Sequence, residues 1–174
     1  PPAPAQFYRD LATAGTLVRQ TFTSPAGLHA VSGMNSAEAR ARSLVSFGGI
    51  GNAASLAKFY AMLANGGELE NRRFFRAETI AQMTTALASG LDRVFQIPTA
   101  FSAGFMQDAP RTSRLIFGRS PLAFGHPGAG GSHALADPAH GVSFAYVMNQ
   151  MEQTLLPNEK SLRLVDALYE ALEN

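Results

Sequence analysis

Apolar positions change period several times along this chain, and each change marks an element. Asn52 is a suitable N-cap; after it Leu56, Phe59, Tyr60 and Leu63 recur at helical spacing and Gly66-Gly67 supplies a stop, which predicts a helix between them. Residues 77–87 repeat the pattern, with Ile80, Met83 and Leu87 on one face. Beyond Pro157, Asn158 caps a last predicted helix reaching Leu172, with Leu162, Val165, Leu168, Tyr169 and Leu172 inward. Scattered apolar residues over 7–18 predict one short helix. Residues 68–75 and 88–99 read as connectors, and 101–106 and 114–117 as strands. Then the period falls to two. Leu122-Ala123-Phe124, the run 133–137 and the run 142–150 are separated by a glycine corner and by the turn signals Asp137-Pro138 and His140-Gly141. This predicts a three-stranded antiparallel meander.

The corner is the most constrained stretch: Phe124-Gly125-His126-Pro127-Gly128-Ala129-Gly130-Gly131-Ser132. Proline brings no N–H to a ladder, so Pro127 is expected on an edge strand. Glycine lets a ligand or another backbone come close. An edge with an open row of donors and acceptors is where an extended substrate can dock. Ser46-Phe47-Gly48-Gly49-Ile50-Gly51 is a second glycine corner. Pro1-Pro2-Ala3-Pro4 cannot begin a helix or a central strand, and 21–46 is a Ser, Thr, Gly and Ala-rich loop. The chain therefore divides into a linker or irregular segment over 1–46 and a folded part over 47–174.

At 174 residues and 46% hydrophobic content this is one domain or a large part of one. A net charge of +1 without charge runs gives no electrostatic case for nucleic acid. No apolar run is long enough to span a membrane. The absence of cysteine excludes disulfides, a thiol nucleophile and thiolate metal sites. It leaves the compartment open between bacterial cytoplasm and periplasm or secretion. His126, His133 and His140 recur every seven residues, but strand residues seven apart point to opposite faces, so no metal is expected. No Gly-Lys-Ser/Thr follows the glycines, so they are not a P-loop, and no cofactor is expected.

Several stretches, in order, resemble the serine β-lactamase-related family of class C β-lactamases, penicillin-binding proteins, family VIII-type esterases and D-aminopeptidases. They are residues 47–67, the run 77–84, Ala103-Gly104-Phe105, Gly125-His126-Pro127-Gly128-Ala129-Gly130-Gly131-Ser132 and Val147-Met148-Asn149-Gln150. The resemblance runs from about Phe47 to the C-terminus. It implies an α+β fold of β-lactamase/transpeptidase type, of which this chain is the C-terminal half, ending in an antiparallel meander and a helix. The family's nucleophile motif, Ser-x-x-Lys, and its Tyr-x-Asn motif both precede the region matching Phe47. A partner is therefore expected: the N-terminal half as a second chain, or a homo-oligomer in which the bare meander edge and one uncovered sheet face associate.

The resemblance also implies site roles. His126 lines the cleft, where it orients the Ser/Tyr/Lys network or the polar end of the substrate. The Ala129 backbone N–H is the second oxyanion-hole donor, and Pro127, Gly128 and Gly130 border the substrate. Pro127 stands where the lactamases carry a hydroxyl that touches the substrate carboxylate, which favours an esterase or peptidase branch. Ser55-Leu56-Ala57-Lys58 is a literal Ser-x-x-Lys, but both residues fall to the solvent side of the apolar stripe. A catalytic lysine must be buried to lose its proton near neutrality, so the match reads as accidental. The expected function is part of a serine hydrolase acting on ester or amide (peptide) substrates, inactive as this fragment alone. The rival expectation is a non-catalytic module that binds a peptide or partner along the glycine-lined edge.

Overall fold

A computed structural model describes residues 5–24, 31–42, 48–110, 112 and 114–173. The chain forms two compact units, one of Asn52–Asp92 with Ile97–Asn174 and one of Pro4–Gly51 with Arg93–Gln96. The latter holds α1 (Ala5–Ala12), α2 (Leu17–Phe22) and two four-residue helical turns, α3 (Val31–Met34) and α4 (Ala37–Arg40). The single helix expected over 7–18 is thus two. The break falls at Thr16, whose hydroxyl oxygen caps α2 by accepting the Arg19 N–H. Phe7 meets Phe22 edge-on at 5.6 Å, and the Gln96 amide donates to Asp10 at 2.6 Å. Within the stretch read as loop, α3 and α4 are helical. The four-residue proline start, and Ser46 and Phe47 of the second glycine corner, lie outside the described residues.

The other unit begins with α5 (Ala53–Ala64). Asn52 Oδ1 accepts the Ser55 N–H at 2.9 Å and Ser55 Oγ accepts the Asn52 N–H at 3.2 Å, a complete capping box. The connector that follows is a small hairpin, β1 (Glu68–Leu69) and β2 (Arg72–Arg73). Next, α6 (Ala77–Thr84) stops short of its expected end, and Leu87 is solvent-exposed rather than on its inner face. Residues read as loop form the antiparallel pair β3 (Ala88–Leu91) and β4 (Pro98–Phe101). Every β3 residue is exposed, so no buried face imposes a period of two. The strand expected over 101–106 is a corner instead. Ser102 N–H donates to Phe105 O at 2.8 Å, and only β5 (Met106–Gln107) pairs on. Residues 114–117 form no strand either, because Ile116 and Phe117 turn their N–H groups onto the Asp108 carboxylate at 2.8 and 3.2 Å.

The expected meander is present as β6 (Phe124–Pro127), β7 (His133–Asp137) and β8 (Val142–Tyr146), the last shorter than its alternating run. These complete a six-stranded antiparallel sheet, β3-β4-β5-β6-β7-β8. All five residues of β7 are buried, as befits a strand covered on both faces. On one face Tyr60, Met62, Leu63 and Ile80 of α5 and α6 pack on Phe105, Phe124, Ala134 and Ala136. On the other, Val165 and Tyr169 of α7 (Glu159–Glu173) pack on Met106, Phe117, Leu135 and Val142. This corrects the expectation of a bare sheet face: α5 and α6 of this same chain cover it. Along α7, Leu162, Val165 and Tyr169 are buried as expected, Leu168 is half-buried, and Leu172, expected inward, is exposed.

The α7 face is held by one polar cluster. The Asp137 carboxylate has no exposure and accepts from Ser120 Oγ at 2.5 Å, Tyr169 Oη at 2.6 Å, His140 Nδ1 at 2.8 Å and the Ala139 N–H at 3.2 Å. Gly118, at φ +153°, leaves the space this needs, since a Cβ there would sit 2.5 Å from Tyr169 Oη. Burial pushes the Asp137 carboxyl pKa up, but the bonds from Ser120, Tyr169 and His140 outweigh it and hold the group below its ordinary 3.8. A depressed folded pKa contributes stability that is present above the unfolded value and lost as pH falls through the folded one. Replacing Tyr169 by Phe should cost about 1.5–3 kcal/mol in urea denaturation at neutral pH. That difference should shrink only below the ordinary aspartate range; a penalty that does not change with pH would mean the bond to the ionised carboxylate is not what stabilises.

Candidate active site

The glycine corner joins β6 to β7, and its geometry follows from the ladder. Gly128 N–H donates to Ser132 O at 2.7 Å, and β6 and β7 pair His126 with Ala134 and Pro127 with His133. The alternation of an antiparallel ladder therefore turns residues 126 and 128 towards β7 and residues 125 and 127 towards β5. On that side β5 reaches only Gly125, through Met106. The register would bring Gly104 opposite Pro127, but the chain has already turned at Ser102–Phe105. The edge-strand expectation for Pro127 is thus corrected: β6 is an interior strand. Proline is tolerated there because its N–H-less side faces the stretch β5 does not reach.

The sequence-predicted residues sit together on this stretch. His126 is exposed, and its Nδ1 lies 2.7 Å from the Pro127 carbonyl oxygen. Its ring lies 6.4 Å from that of Phe101. Pro127 is buried and Gly128 half-buried. Ala129 is exposed, and its N–H donates to no acceptor among the described residues. Gly130, beside it, is clamped from both sides: its N–H donates to Thr154 O at 3.0 Å and its carbonyl accepts the Glu152 N–H at 2.9 Å. Gly130 has φ +89°, and the room its missing Cβ leaves is filled by the Met151 side chain, 2.7 Å from where that atom would stand. Chemically the corner presents one imidazole and the exposed Ala129 N–H, the half-buried Ser132 N–H likewise donating to no acceptor among the described residues, with no charged residue between Phe124 and Ser132.

Ser55 and Lys58 lie elsewhere, on α5. The Ser55 hydroxyl is engaged in the helix cap, donating to Asn52 O at 3.0 Å, and exposed Lys58 pairs with Glu70 at 3.3 Å. The three regularly spaced histidines have three separate environments: His126 at the corner, His140 on Asp137, and His133 in the core.

Sequence reasoning missed two supports of the site. One is the segment from Met151 to Asn158, which clamps Gly130 and packs Asn158 against Gly131 before capping α7 through the Ser161 N–H at 3.2 Å. Glu152 and Thr154 act through backbone groups and Met151 through its side chain, with no periodicity to read; only the Asn158 cap of this segment was legible. The other is His133, opposite Pro127 and 1% exposed, set edge-on between Phe117 at 6.0 Å and Phe144 at 5.9 Å. Neither ring nitrogen has a hydrogen-bonding partner among the described residues. The Ile116 backbone favours its protonated form, but without the geometry of a full bond and against a larger burial penalty that lowers the pKa to about 4.

The family model of beta-lactamases matches residues 1–168, and the chain belongs to that family. The match starts well upstream of Phe47, where the motifs begin. Over 109 residues, 62% of this chain and 24% of the relative, the chain is 34% identical to an esterase/beta-lactamase LipL of Mycobacterium tuberculosis. Solved structures agree. A penicillin-binding protein homolog from Caulobacter crescentus matches at TM-score 0.64 and 38% identity, covering 69% of this chain and 32% of that one. A family VIII carboxylesterase matches at TM-score 0.64 and 36% identity, covering 69% and 31%. EstA from Arthrobacter nitroguajacolicus matches at TM-score 0.68 and 32% identity, covering 80% and 37%. The fold is that of the β-lactamase/transpeptidase proteins, and the chain spans between a quarter and two fifths of the length of these relatives.

His133 carries a testable consequence. Its ordinary pKa of 6.5 falls to about 4 in the fold, so the unfolded chain binds the proton first. Stability should decline as pH drops from 6.5 towards 4, by about 3 kcal/mol at the lower end. Leucine at this position should flatten that slope in urea titrations, whereas an unchanged slope would assign the acid sensitivity to another group.

Proposed function

We propose that this chain is part of a serine hydrolase that cleaves ester or amide bonds through an acyl-enzyme, supplying the substrate-site wall at Phe124–Pro127 and one oxyanion donor. The observation that carries the reading is the Ala129 N–H, exposed and unspent on a turn whose next residue is bonded on both sides. A donor held still before the reaction stabilises the tetrahedral intermediate without reorganising during it. Membership of the beta-lactamase family and likeness to esterases support the same chemistry. In this reading a serine outside the described residues attacks the carbonyl carbon and a Lys/Tyr pair moves the proton. The developing oxyanion is held by Ala129 N–H and the nucleophile's own N–H, and water then releases the acyl group. Pro127, Gly128 and Gly130 shape the wall, and His126 faces the substrate.

An activated phosphonate should label the intact gene product on a serine other than Ser55, and this chain by itself not at all. Ala129→Pro in that protein should lower kcat on a p-nitrophenyl ester by about 10²–10³ with near-ultraviolet circular dichroism preserved. A stoichiometric adduct on Ser55, or an unchanged kcat, would overturn these assignments.

The same reading gives β8 a neighbour. It is the last strand of the sheet, and its outer backbone row pairs with no strand among the described residues. We propose that the first strands of the N-terminal half, or a second copy, add to this edge. Light scattering on the purified chain should report association; a stable monomer at high concentration argues that the edge needs no neighbour.

A further inference from the structure

We propose that His126, with its ring neutral, recognises a hydrogen-bond donor on the substrate through Nε2, so that in this form the site selects esters and amides bearing an ammonium, amide N–H or hydroxyl at that point over those bearing a carboxylate. The inference rests on the hydrolase reading above. Its ground is the unpaired stretch of β6. The Pro127 carbonyl points to the side where β5 has ended, and the His126 Nδ1 lies 2.7 Å from it. A carbonyl oxygen only accepts, so Nδ1 carries the hydrogen; in the neutral ring the lone pair is then on Nε2. That nitrogen makes no hydrogen bond to the described residues, and the ring is exposed.

Among residues 124–132 no other side chain offers a carboxylate a positive charge or a free donor. Residues 124–132 include no lysine or arginine. Pro127 has neither N–H nor hydroxyl, and the Ser132 hydroxyl donates to Met148 Sδ at 3.2 Å. The Ala129 N–H is committed to the oxyanion. While the ring is neutral, a carboxylate placed at His126 would set its oxygens against a lone pair, whereas an ammonium or N–H would be bonded.

The test begins with this chain, labelled with ¹⁵N-histidine and held in alkaline buffer where imidazole is neutral. The His126 signals are assigned by their loss in His126→Gln. Long-range proton–nitrogen correlation should show Nδ1 as the protonated nitrogen and Nε2 as the bare one; the opposite tautomer overturns the proposal. Adding n-butylammonium should shift Nε2, and adding butyrate should not. A shift with butyrate alone, or with neither probe, also overturns it. In the intact protein, in the same alkaline buffer, paired esters with an ammonium or a carboxylate at the same position should differ in kcat/KM by about 10- to 100-fold in favour of the ammonium. His126→Lys should reverse the preference. If neither ester is turned over, the hydrolase reading falls while the nitrogen shifts still decide how His126 binds.

Discussion

A carboxylate can stand without exposure only if its lone pairs are met, and at Asp137 they are met from three parts of the chain. Ser120 comes from the turn before β6, His140 and the Ala139 N–H from the β7–β8 turn, and Tyr169 from α7. That one group fixes α7 against the sheet. The start of α7 in turn anchors Asn158, the segment from Met151 to Asn158 reaches Gly130, and Gly130 holds the turn that presents Ala129. The unspent N–H at the corner therefore depends on a buried charge at the far end of β7.

The corner is rigid for a related reason. Its glycines are not empty space awaiting a ligand, for Met151 fills the room at Gly130 and Asn158 crowds Gly131. Tight packing on the inner side holds the turn, while Ala129 on it stays exposed. His133 belongs to the same inner layer. An imidazole with two idle nitrogens adds little there beyond its shape, and aromatic neighbours at about 6 Å suit that role.

Much of this architecture was legible in the spacing of residue types. The stripe from Leu56 to Leu63 was read as α5, although Phe59 in it is exposed and Met62 off it is buried, and the polar–apolar alternation from His133 to Asp137 was read as β7, although all five residues are buried. The capping asparagines, Asn52 and Asn158, gave two helix starts. Legibility failed where backbone or edge geometry decides. β3 is exposed on every residue and so has no alternation. Phe101 and Met106 are both apolar, yet a turn at Ser102 separates their strands, and the partner that holds Ile116 and Phe117 in place is a carboxylate eight and nine residues away. At the site, the residue types at the corner were visible. That Pro127 could lie on an interior strand was not, because it depends on where a neighbouring strand stops.

That stopping place has a consequence for aggregation. A bare stretch of strand is a template on which a foreign strand can grow, and proteins guard such stretches with charge, bulges or proline. Here the guard is Pro127: it offers no N–H, and its carbonyl is already engaged by His126. An incoming strand would find neither half of its next pair of bonds. That stretch of β6 is thereby shut to sheet growth, which leaves strand addition to the two outer strands, β3 and β8.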